Sequence, residues 1–368
     1  MSVIIFIIVL AVLILSHEFG HFIVAKKCGV RVDEFGLGFP PRVFGFKRGE
    51  TTYSLNWLPF GGFVKIFGEN PDEEALTGFD ASRSLINRPR YQQALVLVAG
   101  VVCNLILAWL FLSIGLMSGL PVASSEAPAG LTGESRLLIT TVKTDSPAEK
   151  SGLKLGDEIV SLTDSLQKQP EQLEPKTVAD FMAAHPAQNL DLVIKRAGTE
   201  QKITVQPQID PTNSESRAII GIGLEEVITS KLGLFPAFAR GAVLTSDITI
   251  ATVVGLFDLI KQAFAGQPVL ENITGPVGLA GLVGDAASLG WVYLLSFTAF
   301  ISINLAVLNL LPFPALDGGR LLFLLIEKIK GSAIKPQVAN TLNLVGFGLL
   351  LLLMAVVTYG DIARLLLK

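Results

Sequence analysis

The chain has 368 residues, room for two or three modest domains, and half of them are apolar while only 17% are charged. Soluble domains carry about 25% charged residues, so this balance, with a mean hydropathy of +0.56, excludes a disordered chain and argues against an ordinary cytosolic enzyme. A net charge of -3 offers nucleic acid no partner surface, and two cysteines, Cys28 beside a helix end and Cys103 inside an apolar run, exclude a disulfide framework.

Residues 3–15 are uniformly apolar, and that character continues past His17 to Ala25. Further apolar runs cover 94–120, 291–311 and 342–358. A spanning helix needs roughly 20 such residues, so four transmembrane helices are expected. The first run lacks the basic start and the small-residue cleavage site of a signal peptide. Lys26, Lys27 and Arg31 follow run one, Arg83, Arg88 and Arg90 precede run two, and Arg320, Lys328, Lys330 and Lys335 follow run three. Ser118 to Ser135 and Gln267 to Gly290 hold no Lys or Arg. The positive-inside rule then puts 26–93 and 318–340 in the cytoplasm and 120–290 outside. Phe235–Ala265 is expected to lie on the outer membrane surface as an amphipathic helix, because a crossing there would reverse run three.

Within run one stands His17-Glu18-Phe19-Gly20-His21, an HExxH pattern. Four residues is about one helical turn, so both imidazoles share a face and reach one ion. Glu18 lies beside that ion, placed to take a proton from a water. Such residues are expensive inside a membrane and functional by default, although a polar cluster that packs helices is the bland alternative. Residues 36–67 read as short strands, Arg42–Lys47, Thr51–Trp57 and Phe63–Phe67, joined by glycine-rich turns.

The insert 136–206 reads as a compact domain. Strands are expected at Leu137–Val142, Glu158–Leu162, Leu190–Lys195 and Gln201–Val205, and helices at Pro147–Ser151 and Thr177–His185. Ser146 caps the first helix and Pro147 takes its first position. The run from Ser146 to Leu162 resembles the core of PDZ domains, which bind extended peptides by strand addition. The groove is expected between Leu137–Val142 and Thr177–His185. His185 has no ligand partner at suitable spacing and reads as a helix-end histidine.

A catalytic zinc takes three protein ligands and keeps one position for water. Run three ends in Asn309-Leu-Leu-Pro-Phe-Pro-Ala-Leu-Asp317-Gly318-Gly319, where the prolines stop the helix and the glycines allow a sharp turn after the acid. Asp317 is a candidate third ligand or an ordinary helix-end acid.

HEFGH at 17–21, NLLPFPALDGG at 309–319 and the intervening PDZ-like domain together resemble the bacterial site-2 proteases, intramembrane zinc metalloproteases of the regulator-of-sigma-E type. The resemblance implies that His17, His21 and Asp317 hold Zn2+, that Glu18 is the general base, and that Asn309 handles substrate. It also matches the family's GPxxN to Gly100-Val-Val-Cys-Asn104, with Val101 in place of proline, so Gly100 and Asn104 are candidate substrate-binding positions. The glycine- and aromatic-rich stretch 36–67 resembles the family's membrane-re-entrant β-loop. Single-pass transmembrane proteins, anti-sigma factors and signal-peptide remnants among them, are the implied substrates, alongside the lipid bilayer and without nucleic acid.

The expected architecture is a polytopic α-helical membrane protein with four transmembrane helices, a membrane-associated β-hairpin region and one inserted PDZ-like α/β domain. Its parts are helix one with HExxH (1–35), the β-loop and cytoplasmic loop (36–93), helix two (94–120), an extracytoplasmic PDZ domain (121–210), an amphipathic linker (211–290), helix three with LDGG (291–319), and a loop with helix four (320–368). The expected location is the bacterial inner membrane. The alternatives are a catalytically silent PDZ adaptor and a metal transporter using the same ligands.

Overall fold

The computed structural model describes residues 2–69, 77–124, 133–143, 145–196, 198–209, 218–229, 231–267, 273–332 and 334–366. Two compact units emerge: one from 1–114, 238–287 and 294–368, the other from 115–237 with 288–293.

The first unit opens with α1 (Ser2–Lys27), mostly apolar apart from Ser2, Ser16, His17, Glu18, His21 and the terminal lysines. Gly29 ends it in the left-handed region at φ 70°, and Cys28 and Val30 donate back to Val24 and Ala25, satisfying the last carbonyls. Strands β1 (Val32–Arg48) and β2 (Thr51–Ile66) follow. They are longer than expected, because each bends and pairs twice. Residues 34–37 bond to 62–65 on one side and to 52–55 on the other, while 42–48 bond to 51–56. The result is a small four-stranded sheet with 62–66 at one edge. Glu50 at the tip accepts from Lys26 (2.5 Å) and Arg83 (2.6 Å); these cations, Lys26 foremost, hold its carboxyl below the ordinary value.

The remaining long helices are α2 (Arg90–Met117), α5 (Leu234–Phe264), α7 (Trp291–Asn309) and α9 (Pro336–Leu366), and between them lie α6 (Pro276–Leu289) and α8 (Asp317–Lys330). Val9 and Leu13 of α1 pack with Val283 of α6 and with Leu294 and Phe297 of α7. Among the described residues, five helices are long and apolar enough to cross a membrane, where the sequence reading counts four. The addition is α5. The sequence reading places this segment on the outer membrane surface; in the fold it runs antiparallel along α2. Phe238 accepts from Trp109 Nε1 (2.8 Å), the position of a Cβ on Gly241 meets Ser113 Oγ at 2.3 Å, and Ala242–Ile250 face Val102–Trp109. Farther on, Leu256 and Leu259 stand opposite Val307 and Leu308. Small residues allow the approach, and Thr245 and Thr249 turn their hydroxyls back to carbonyls four residues earlier, so the polar groups cost little. Beyond α5, Asp361 of α9, only 5% exposed, accepts from the Gly275 and Gly278 N–H groups at the start of α6 (3.2 and 2.8 Å). Residues 268–272 lie outside those described.

The second unit holds a six-stranded sheet in the order β3-β10-β4-β5-β6-β7: β3 (Pro121–Ala123), β4 (Glu134–Val142), β5 (Glu158–Thr163), β6 (Leu190–Arg196), β7 (Thr199–Val205) and β10 (Ile222–Thr229), with the short pair β8 (Gln208–Ile209) and β9 (Ala218–Ile219). Helices α3 (Pro147–Lys150) and α4 (Pro175–Ala183) cover a core of Leu137, Ile139, Leu162, Val178, Leu190, Leu192 and Ile194. Ser146 Oγ accepts from Glu149 N (3.2 Å), as the capping pattern predicts. Two expectations change. The domain does not end at 210, a boundary outside the described residues, since β10 sits inside its sheet. Nor is the groove beside β4, which is paired to β10 along its length and to β5 on the other side. The open edge next to α4 is Ile222–Glu226, because β3 pairs only with Val227–Thr229. One buried charge holds the domain: Asp157, 1% exposed, accepts from Arg196 Nε (2.6 Å) and from the Lys154 N–H (2.8 Å). Asp157→Ala leaves Arg196, itself 24% exposed, and the Lys154 N–H without this acceptor, so it should destabilise the domain by about 1–3 kcal/mol, read as a lower urea midpoint for its cleavage in pulse proteolysis.

Candidate metal centre

His17 and His21 leave α1 from one face, 8% and 6% exposed. That face meets α2 with almost no spacing. A Cβ on Gly20 would stand 2.3 Å from the Ala99 carbonyl oxygen, and one on Gly100 would stand 2.4 Å from His21 Nε2 and 2.7 Å from His17 Cε1. Helices come this close only where side chains are missing between them.

The third group arrives from a broken helix. After Asn309 the chain turns through 310–316 and restarts as α8 with Asp317 in its first turn. The residue with positive φ is Ala315, at 75°, not either glycine of the pair. Gly318 and Gly319 are helical, and they are small for another reason: added Cβ atoms would lie 2.2 Å from the carbonyl oxygens of Leu311 and Phe313 respectively. The turn is folded over the first turn of α8, so the acid stands on a helix start rather than on a non-helical stretch.

The three side chains converge. Asp317 Oδ2 lies 3.1 Å from His17 Nε2 and 3.2 Å from His21 Nε2, and the two Nε2 atoms are 3.1 Å apart. His21 Nδ1 donates to the Val96 carbonyl (2.8 Å), so its neutral ring presents a bare Nε2. Two ring nitrogens and a carboxylate oxygen then meet at contact distance, which a proton or a metal ion shared among them would satisfy. Donors about 2.0–2.2 Å from a tetrahedral ion stand about 3.3–3.6 Å apart, close to the observed triangle. The donor set of two imidazoles and a carboxylate suits zinc and leaves a fourth position. Among the described residues it is the one group of three such side chains near enough to share an ion.

Glu18 turns toward the sheet. The Val64 N–H donates to its carboxylate, and it is in electrostatic reach of both His21 and Asp317. A Cβ on Gly62 would lie 3.0 Å from Ile14 and 3.6 Å from Glu18 Cγ, so the edge strand 62–66 runs against the helix at the acid. Arg320, one turn after Asp317, pairs with Glu69 just beyond β2, tying the sheet to α8.

The other expected positions divide. Asn104 is fully buried, with Nδ2 3.5 Å from His17 Nδ1, and Gly100 is pressed against both imidazoles; neither has a face for substrate. Asn309 is half-buried at the end of α7, and the bonds described above do not include it. Two contributors are absent from the sequence reading. The Val96 carbonyl is backbone and leaves no residue signal, whereas Arg320 was legible as the cation three residues after Asp317 on one helical face.

The sequence model of peptidase family M50 matches residues 5–353. The chain belongs to this family. It is 32% identical to the zinc metalloprotease RasP of Geobacillus kaustophilus over 99% of this chain and 98% of that protein. It is also 32% identical to the regulator of sigma-W protease RasP of Bacillus subtilis, over 100% and 99%. This M50 peptidase is a zinc metalloendopeptidase, and its apolar helices make it a multi-pass membrane protein. A Cβ on Gly100 would press on both imidazoles. Gly100→Ala should weaken zinc binding by about 100-fold, measured by chelator competition, whereas Gly20→Ala meets backbone and should lower the yield of folded protein.

Proposed function

We propose that this protein is an intramembrane zinc endopeptidase that cuts single-pass membrane proteins in or near their transmembrane segment, with His17, His21 and Asp317 as the zinc ligands. The observation that carries this reading is the triangle of three acceptor atoms, with Glu18 beside it, among helices apolar enough to span a bilayer. When bound, zinc supplies a Lewis acid that lowers the pKa of a water toward about 7 and polarises a carbonyl.

Glu18 takes the proton of the attacking water and returns it to the leaving nitrogen. Its neighbours suit that exchange: the Val64 N–H keeps the carboxylate directed at the sheet edge. A substrate helix hides its peptide bonds in internal hydrogen bonds, and each group freed in lipid costs several kcal/mol. The edge strand 62–66, paired within the sheet to 32–37, runs next to Glu18, and a locally unwound substrate is held extended there by strand addition. Asn309, at the break between α7 and α8, handles the same unwound substrate. The inserted domain is a PDZ-like filter that lies outside the cytoplasm of a bacterial inner membrane, reading substrate size or a tail at Ile222–Glu226. The name of the Bacillus subtilis relative, regulator of sigma-W protease, favours regulators of a sigma factor as one substrate class, and signal-peptide remnants are another.

Glu18→Gln should keep zinc and fold while cleavage of a model transmembrane substrate in detergent falls by at least about 100-fold. A wild-type rate in a zinc-loaded Gln variant would remove Glu18 from the mechanism. The filter role has a separate test. Leu232 N donates to Leu116 O (3.1 Å), so the two ends of the inserted domain adjoin and 118–231 can be replaced by a short linker. The shortened protein should still bind zinc and should cut full-length substrates that the intact protein spares, seen by gel assay of long and pre-trimmed substrates.

A further inference from the structure

The two histidines are anchored differently at their far nitrogens. His21 Nδ1 donates to a carbonyl that nothing can replace, Val96 O. His17 Nδ1 instead faces the amide of Asn104 at 3.5 Å. Asn104 is wholly buried, and its Oδ1 has no hydrogen-bond partner. Leaving a buried acceptor without a donor is destabilising. The backbone at this point is fixed, since Ser302 Oγ donates to the Asn104 carbonyl (2.8 Å).

If His17 gives its Nε2 lone pair to a metal, its neutral ring carries the proton on Nδ1. That N–H needs an acceptor, yet it faces an amide nitrogen, donor against donor. The oxygen and nitrogen of an amide are interchangeable by a half-turn of the side chain, and the assignment is made from the bonding network. Turning Asn104 over supplies the missing acceptor and gives the orphaned oxygen its donor.

We propose that Asn104 is a positioning residue whose Oδ1 accepts from His17 Nδ1–H, fixing the tautomer and ring plane that aim Nε2 at zinc. The proposal rests on the reading of His17 as a ligand. Outer partners of this kind are worth about 10–100-fold in metal affinity. With it, α2 orients both imidazoles, one by a main-chain carbonyl and one by a side-chain amide, while Gly100 between them makes the room. The position also explains why Asn104 lies where substrate has no access.

The test measures zinc affinity of the full-length protein in detergent by competition with a chelator. Asn104→Leu keeps the volume and removes the acceptor, and it should raise the zinc Kd about 10–100-fold. Asn104→Asp, acceptor only, should restore the Kd to within about threefold of wild type. Ser302→Ala, which loosens the same α2–α7 contact without touching the amide, should bind zinc as wild type does. A folded Leu variant with wild-type Kd overturns the proposal, as does an Asp variant as weak as Leu, or a Ser302→Ala variant equally weak. Asn104→Ala serves in place of Leu if that variant does not fold. His17→Ala separates the two readings: if it binds zinc normally, the ligand assignment fails, whereas if it loses zinc and Asn104→Leu does not, only the role of Asn104 fails.

Discussion

Three acceptor atoms sit within 3.2 Å of one another, and water is scarce at membrane depth to separate them. Coulomb and lone-pair repulsion would push them apart, so the surrounding packing has to hold them, and a shared cation turns the repulsion into binding. The packing that does so is the crossing of α1 and α2. Gly20 against Ala99 sets the approach of the two helices, and Gly100 clears the space that the imidazoles fill. Asp317 is brought to the same point by the reversal between α7 and α8, which again depends on glycines buried under carbonyl oxygens. Close backbone approach, rather than apolar burial, is the organising device of this centre.

The sheet between α1 and α2 answers a related constraint. Unpaired backbone groups are costly in lipid, and β1 and β2 answer that cost in part by bending, so that 34–37 pairs on both sides, with 62–65 and with 52–55. The one edge left beside the site is 62–66, at the helix that bears Glu18. Charged clips hold it in place: Glu50 to Lys26 and Arg83, and Glu69 to Arg320. Lys26 and Arg320 join the sheet's turn and end to α1 and α8, and Arg83 lies in the loop before α2. Such pairs contribute modestly to stability; their larger effect is to fix where the edge lies.

The same logic governs α5 and α6. Thr245 and Thr249 bond to their own helix, so α5 lies along α2 and α7 despite its polar residues. Asp361 supplies, from another helix, the acceptor that the first turn of α6 needs.

Much was legible from local pattern. Uninterrupted apolar runs marked α1, α2, α7 and α9, the one-turn spacing of His17 and His21 placed them on one face, and Ser146-Pro147 marked the start of α3. These features depend on neighbours a few residues apart, which the order of residues alone determines. What tertiary structure decided is long-range. The meeting of Asp317 with two histidines 300 residues earlier, the anchoring of His21 by a main-chain carbonyl, the true purpose of Gly318 and Gly319, and the placing of β10 between β3 and β4 all depend on which distant surfaces come together. Phe235–Ala265 reads as amphipathic from its charges, yet the small residues on its other side decide where it packs. The family resemblance implied substrate binding for Asn104, whereas the burial of its amide beside His17 supports the positioning role proposed above.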